Sequence, residues 1–503
     1  MDRRLEGEEG PGDYLSILSG TSQNVVGIVV AAIATFAANV LMSNTLGPEG
    51  FGVVTVMTQA AFVASFATRA GMDMAVLRDV AIEVGQGRSN RIRVSVARAV
   101  VIGTLVSAAA GLLTVLAADA IRDAYPDAGR YVVEAAALGL PFLALANIWL
   151  SATRGLKIMR YTLYVFWAGQ PIAWIAIMLI GWSFSETDWM SVLAYSGSWA
   201  LAAAAAGYFW RRESSPWPAS PAQPGDLSRL MRYAGPRAPA ALFSQLLFWT
   251  DLFVLTIYVG KAEVGVYAAA LRAGQVLVLF LTSVSLMFSP FVADLHHRGE
   301  TERLDRLFKT LTRWTIAATI PLFMVLMVAP NEALRIFGSE FSEGKAALLI
   351  VLAGQFINIA TGSVGFVLIM VGRTGWDLII YACSLALDLG LAFWLCPRYG
   401  IEGAAVANAA TFALSKWARL VFVRRFVHIQ PYDRDYGRLV IPSLVGLIVM
   451  WLVHRIVPGG FLIDLVATAV IGTLAYAGVY LGVGLTEPER RGARGLVARL
   501  RAS

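Results

Sequence analysis

The chain has 503 residues, of which 57% are hydrophobic and only 15% charged, with a mean hydropathy of +0.64. A soluble domain carries about 25% charged and roughly 45–50% apolar residues, and no small set of soluble cores could bury this much apolar surface. Composition therefore excludes a soluble protein and a disordered one. The apolar runs are continuous rather than alternating, which excludes a membrane β-barrel.

The sequence opens on a polar stretch, 1–19, that leads directly into a long apolar run. It lacks the short apolar core and small-residue cleavage site of a removable leader, so the first span is expected to stay. A helix crossing hydrocarbon needs about 20 residues. Six such runs follow, near 20–43, 53–75, 94–118, 132–152, 162–182 and 189–210. The stretch 211–237 is rich in Pro and Ser and reads as a cytoplasmic linker. Six more runs lie near 238–260, 266–292, 311–330, 346–371, 378–396 and 403–423. A cytoplasmic loop then leads to two last spans near 439–457 and 461–484, and 485–503 is a basic cytoplasmic tail. The expectation is an all-α polytopic membrane protein of about 14 transmembrane helices.

Net charge is +7, and its placement matters more than its sum. One side of the predicted topology holds 31 of the 41 Lys and Arg, the other side 7, and three lie within spans (Arg272, Lys416 and Arg419). By the positive-inside rule both termini are cytoplasmic. The basic balance thus calls for no nucleic acid. Arg outnumbers Lys 36 to 5, which suggests a GC-rich bacterial genome and a bacterial cytoplasmic (inner) membrane as home. Cys383 and Cys396 are separated by about 20 Å of helix and cannot pair. The four histidines (His296, His297, His428, His454) show no metal-type spacing, so no bound metal or cofactor is expected.

The two halves partly repeat. GPEGFGV from Gly47 joins spans one and two, and GKAEVGV from Gly260 joins spans seven and eight, 213 residues later. The same connection in the same topological place favours a pseudosymmetric transporter. Together with VGKAEVGVYAAALRAGQVLVLFLTSVSLMFSPFVADL and PRYGIEGAAVANAATFALSKWARL, the segment LGPEGFGVVTVMTQ resembles the polysaccharide flippase family, which includes O-antigen flippases. That family lies within the multidrug/oligosaccharidyl-lipid/polysaccharide exporter superfamily. The resemblance implies two pseudosymmetric six-helix lobes around a central cavity, with helices thirteen and fourteen peripheral. It also implies a polyprenyl-diphosphate-linked oligosaccharide as cargo, flipped outward for cell-surface polysaccharide synthesis. Polymerase or other biosynthesis partners and a monomeric state go with that reading. Lipid II flippases of the superfamily carry arginines in the first span, whereas 20–43 has no charge here.

Ionisable residues within spans are costly and usually face a cavity or a partner. Asp251 and Arg272 flank the seven–eight turn near Ala262 at matched distances, roughly 15 Å below it at 1.5 Å per residue. They are expected to meet, with Arg272 available to a diphosphate and Asp251 to a coupling cation, Na+ or H+; the alternative is an ion pair that only pins two helices. Asp388, a second candidate for ion coupling, and Lys416 flank the eleven–twelve turn in the same way. Lys416 and Arg419 lie toward the cytoplasmic end, where snorkelling also explains them. Polar residues at spacings of three, four, seven and eleven share a helix face: Asn24, Thr35 and Asn39 on span one, Arg272, Gln275 and Thr282 on span eight, and Gln355, Asn358 and Gly362 on span ten. With Gln59 and Lys416 they are candidates for the cavity wall, though polar helix packing would look the same. Arg69, Arg98, Arg154 and Arg419 are candidates for docking a diphosphate at the cytoplasmic mouth; positive-inside anchoring is the other explanation.

Two further functions bear weighing. A membrane glycosyltransferase or polymerase would need paired carboxylates on a sizeable outer loop. The largest such loops, 119–131 and 331–345, are short and contain no D-x-D, so no enzyme is expected. An organic-cation antiporter of the same superfamily would favour acids over Arg272 in its cavity.

Overall fold

The computed structural model describes residues 22–85, 91–125, 128–217, 226–457, 459–486 and 489–490. The stretch 1–19, most of the tail 485–503 and much of the linker lie outside them. The described residues are helical throughout, without strands. Among the described residues nine helices are long and apolar enough to cross a membrane, and a bent pair makes ten.

The first lobe comprises α1 (Ser22–Thr68), α2 (Met72–Gly85), α3 (Ile92–Leu116), α4 (Ala118–Ala124), α5 (Arg130–Gly155), α6 (Thr162–Trp182) and α7 (Asp188–Ser214). The second comprises α8 (Asp226–Leu246), α9 (Thr250–Leu255), α10 (Lys261–Gln275), α11 (Val278–His297), α12 (Thr301–Val328), α13 (Pro330–Arg335), α14 (Lys345–Ala360), α15 (Val364–Met370) and α16 (Thr374–Val427). Two last helices are α17 (Val440–Ile456) and α18 (Phe461–Val479).

Two of these helices are hairpins. α1 leaves helical geometry at Gly47, where φ is +66°, and Pro48 opens the second arm, a position that tolerates a missing N–H. α16 breaks at Gly400, where φ is +53°. Its arms return on each other: a side chain at Gly403 would strike Leu395 O at 2.4 Å, and Arg419 reaches Asp377 at 3.0 Å. Counting each arm, with α7 and the α8–α9 pair, gives the fourteen crossings expected from the sequence. The helix of span seven starts at Asp226, inside the stretch read as linker. Its early turns have core contacts, since Leu230 and Ala234 bury against Met72 and Val76.

The lobes meet at the end that carries the two repeated turns. A Cβ on Gly52 would lie 2.4 Å from Lys261 O, and one on Gly265 would lie 1.9 Å from Pro48 O. Backbone therefore rests on backbone. Lys261 Nζ pairs with Glu49 at 2.8 Å, and Asn44 donates to Ile336 O at 2.8 Å. Below them Phe36 and Phe51 of the first lobe pack edge-on against Phe337 and Phe341 of the second, at 5.3 and 5.8 Å between ring centroids. At the other end Gly71 abuts Ala234 O, 2.6 Å from an added Cβ. α17 and α18 pack on the outside of α12, where Tyr476 donates to Ala317 O at 2.9 Å. Their outer faces expose Ile441, Leu444, Ile448, Val466 and Leu474, as a lipid-facing surface should.

Candidate functional site

Three spans of the second lobe are interrupted, and polar residues gather at each interruption. Span seven breaks between Leu246 and Thr250, next to Asp251. Span eight bends by 47° between Gln275 and Val278, just past Arg272. Span ten breaks between Ala360 and Val364, after Gln355 and Asn358, with Gly362 at φ +65°. Irregular backbone at membrane depth is tolerated only where protein or a wet cavity satisfies it, and discontinuous helices commonly mark a transporter's binding site.

At the first break Asp251 is fully buried and accepts a hydrogen bond from the Tyr267 hydroxyl. Asp388, from the first arm of α16, is fully buried and close enough for the two carboxylates to interact. Asn408 and Thr411, on the second arm, face Asp251 and Asp388 respectively. Among the described residues Asp251 Oδ1, both Asp388 oxygens and the Thr411 hydroxyl have no hydrogen bond of good geometry. Orphaned oxygens of this kind are costly unless a proton or cation joins them. An all-oxygen set around two carboxylates suits a hard cation.

Arg272 stands elsewhere. Its guanidinium stacks on Trp249, 4.9 Å from the ring centroid, and Nη1 reaches Gln275 Oε1 at 3.5 Å. It makes no ion pair among the described residues, and Nε has no partner. The expected Asp251–Arg272 pair is therefore not formed. Tyr267 and Arg272 are five residues apart on α10, so they point about 140° apart around the helix. Once Tyr267 takes Asp251, Arg272 looks the other way. Asp388 and Lys416 fail to pair for the same reason: Thr411, which faces Asp388, is five residues from Lys416. Lys416 is half-buried and without an ion pair among the described residues.

On span ten two residues of the polar stripe bond to each other, while Gly362 lies beside Thr312. Asn358 donates to Gln355 at 3.0 Å, both buried, and Gly274 of α10 packs beside Gln355. Asn39 is buried and donates to Thr35 O at 2.7 Å, which spends its amide on its own helix. Gln59 is also buried, and the side chain of Asn24 lies outside the described residues.

The arginines proposed for the mouth fall into two groups. Arg69 is buried, held by Asp73 at 3.0 Å and by Ser65 O at 2.9 Å, and Arg154 lies within its electrostatic reach, bonded to Ser151 at 2.6 Å. Arg419 is buried against Asp377, Ser415 and the Tyr381 ring, 4.2 Å from its centroid. Arg98 lies on α3, half-buried. Sequence reasoning passed over Trp249, Tyr267, Asn408 and Thr411. The one signal available was the polar run Asn408, Thr411, Ser415, whose spacing of three and four marks a face.

Comparison with known proteins agrees with this architecture. A polysaccharide biosynthesis protein family model matches residues 17–296, more than half of the chain, and a MatE family model matches residues 236–394. A probable low-salt glycan biosynthesis flippase, Agl15 of Haloferax volcanii, is 26% identical over 234 residues, 46% of this chain and 50% of that protein. The chain thus spans about half the length of the first curated relatives it matches. A putative O-antigen transporter of Shigella flexneri is 20% identical over 415 residues, 78% of this chain and 94% of its own. Among solved structures, the lipid II flippase MurJ in an inward closed conformation superposes with a TM-score of 0.67 at 14% identity, covering 90% of this chain and 99% of that one. An inward-facing multidrug transporter of the MATE family gives a TM-score of 0.65 at 11% identity, covering 79% and 94%. The fold of this chain is thus that of the solved MurJ and MATE structures, and the chain belongs to the polysaccharide biosynthesis protein family.

Proposed function

We propose that the protein flips a polyprenyl-diphosphate-linked oligosaccharide from the cytoplasmic to the outer leaflet of a bacterial cytoplasmic membrane, with both termini inside. The observation that carries this reading is Arg272: a half-buried guanidinium at a helix break, stacked on Trp249 and lacking a carboxylate partner among the described residues. An uncompensated cation at that depth calls for an anionic ligand, and a planar fork suits a diphosphate. The names of the glycan flippase and O-antigen transporter relatives support the same cargo.

The transport problem is desolvation. A sugar carrying a charged diphosphate cannot cross roughly 30 Å of hydrocarbon without its water. Gln275, Gln355 and Asn358 would replace lost water around the sugar, Arg272 would offset phosphate charge, and the polyprenyl tail would stay in lipid. Rocking of the lobes about their shared contacts supplies alternating access. The Asp251–Asp388 cluster is the proposed site of a coupling cation, Na+ or H+, since its orphaned oxygens fit one. No covalent step is needed, so the protein acts as a carrier and not as an enzyme, on its own or beside a polymerase. Reconstituted vesicles test the proposal: the wild type should translocate a lipid-linked oligosaccharide, Arg272→Ala should abolish this with insertion intact, and Arg272→Lys should recover part of it. Full transport by Arg272→Ala would remove the residue from the mechanism, and inactivity of the wild type toward such lipids would remove the function.

A further inference from the structure

Away from the lobe interface, three side chains distant in sequence converge at the end of the bundle that carries the repeated turns. Glu332 comes from the short helix α13, His454 from the last turn of α17 and Asp464 from the first turn of α18. One ligand atom from each lies within 4.8 Å of the others, and His454 Nδ1 stands 2.8 Å from Asp464 Oδ2. The group is sheltered, with the His454 side chain 28% and that of Asp464 13% exposed. Thr468, one turn along α18, donates to Asp464 Oδ1 at 3.3 Å. No Lys or Arg among the described residues forms an ion pair with Glu332 or Asp464.

We propose that these residues form a binding site for a divalent transition cation of the zinc type, which clips the peripheral hairpin α17–α18 to α13 of the second lobe. Zinc takes imidazole nitrogen and carboxylate oxygen as ligands, and three protein ligands leave a fourth position for water. At metal–ligand distances of about 2.0–2.2 Å, tetrahedral donors stand roughly 3.3–3.6 Å apart. The His454–Asp464 pair, now at the hydrogen-bond distance of 2.8 Å, opens by about half an ångström to admit the ion, and a side-chain adjustment of about an ångström brings in Glu332. Thr468 orients Asp464 as an outer-shell partner does. The site is independent of the cargo, because none of its residues belongs to the Arg272 or Asp251 clusters.

The experiment uses the detergent-purified full chain, stripped with chelator and titrated with Zn2+ against a chromogenic indicator, then with Co2+ for its visible spectrum. The wild type should take up one Zn2+ per chain, show tetrahedral Co2+ absorption and melt at higher temperature with metal than without. His454→Gln and Glu332→Gln should each weaken binding at least about tenfold, and Thr468→Ala by a comparable factor at the outer shell. Metal-free melting of the variants close to that of the metal-free wild type separates lost binding from lost folding. Zinc uptake by His454→Gln equal to the wild type, or no uptake by the wild type, would overturn the site.

Discussion

Asp388 is a completely buried carboxylate whose two oxygens have no hydrogen-bond partner among the described residues, so it must gain a proton or a cation. Asp388→Asn removes the charge while keeping shape, so transport is expected to lose its dependence on an imposed Na+ or H+ gradient. The measurement is vesicle transport with each gradient set separately; unchanged gradient dependence in Asp388→Asn would exclude the site from coupling. Tyr267→Phe should act more mildly and in the opposite direction, preserving the gradient dependence, since it frees one further oxygen of Asp251 while both carboxylates keep their charge. The residue types at this site were legible in the sequence: Asp251, Arg272 and Asp388 stand out as charges within apolar runs. Their partners were not. Pairing depends on azimuth around each helix, and equal depth below a turn says nothing about which way a side chain points. A tyrosine five residues from Arg272 decided the matter, and a tyrosine in an apolar run gives no warning of it.

At the scale of elements, the interruptions of spans seven, eight and ten distinguish the second lobe. Their positions were foreshadowed only by Gly274 and Gly362, whereas the hairpins at Gly47 and Gly400 could be read directly from Gly, Pro and the change of hydropathy. A span is recognised by length and apolarity, and a break of two or three residues alters neither. The contact between the repeated turns is the element most exposed to mutation. A side chain at Gly265 cannot be housed, because what it meets is the Pro48 carbonyl and not a flexible group. Overpacking costs about 1–3 kcal/mol, here taken from the closed arrangement alone. Gly265→Val should therefore raise labelling of a cysteine placed at Ser43 by an impermeant maleimide added from outside. Equal labelling in both backgrounds would show that this contact does not govern access. Glu49→Gln should change little, since the Glu49–Lys261 pair is largely exposed and such pairs contribute about 0–1 kcal/mol.

For the whole molecule, the prediction concerns orientation and motion together. On the charge count, Ala262 and Glu402 are expected outside and both termini inside. Cysteines at those positions should react from the outside only, and exclusive labelling from the cytoplasm would reverse the topology. If access alternates, the turns at Gly47 and Gly260 must separate once per cycle. Cysteines replacing Glu49 and Lys261, joined by a short bifunctional maleimide, should then arrest transport while leaving binding of the lipid-linked sugar intact. Transport by the cross-linked protein would show that the lobes do not part there. The fourteen crossings and the two-lobed order were legible from length, hydropathy and the repeat. Which end of the bundle is held shut was not, because it rests on the approach of two backbones.

That approach has a consequence for where the protein can open. When Gly52 leaves Gly265, the Pro48 and Lys261 carbonyls, each covered by the other turn, lose their shelter together. Hydrocarbon cannot solvate such groups. Parting of the lobes is thus a wetting event, feasible only at a level that interfacial water reaches, and the thickness of the surrounding bilayer becomes a determinant of turnover: a thicker membrane that drew lipid tails over the two turns would slow the carrier without touching its cargo.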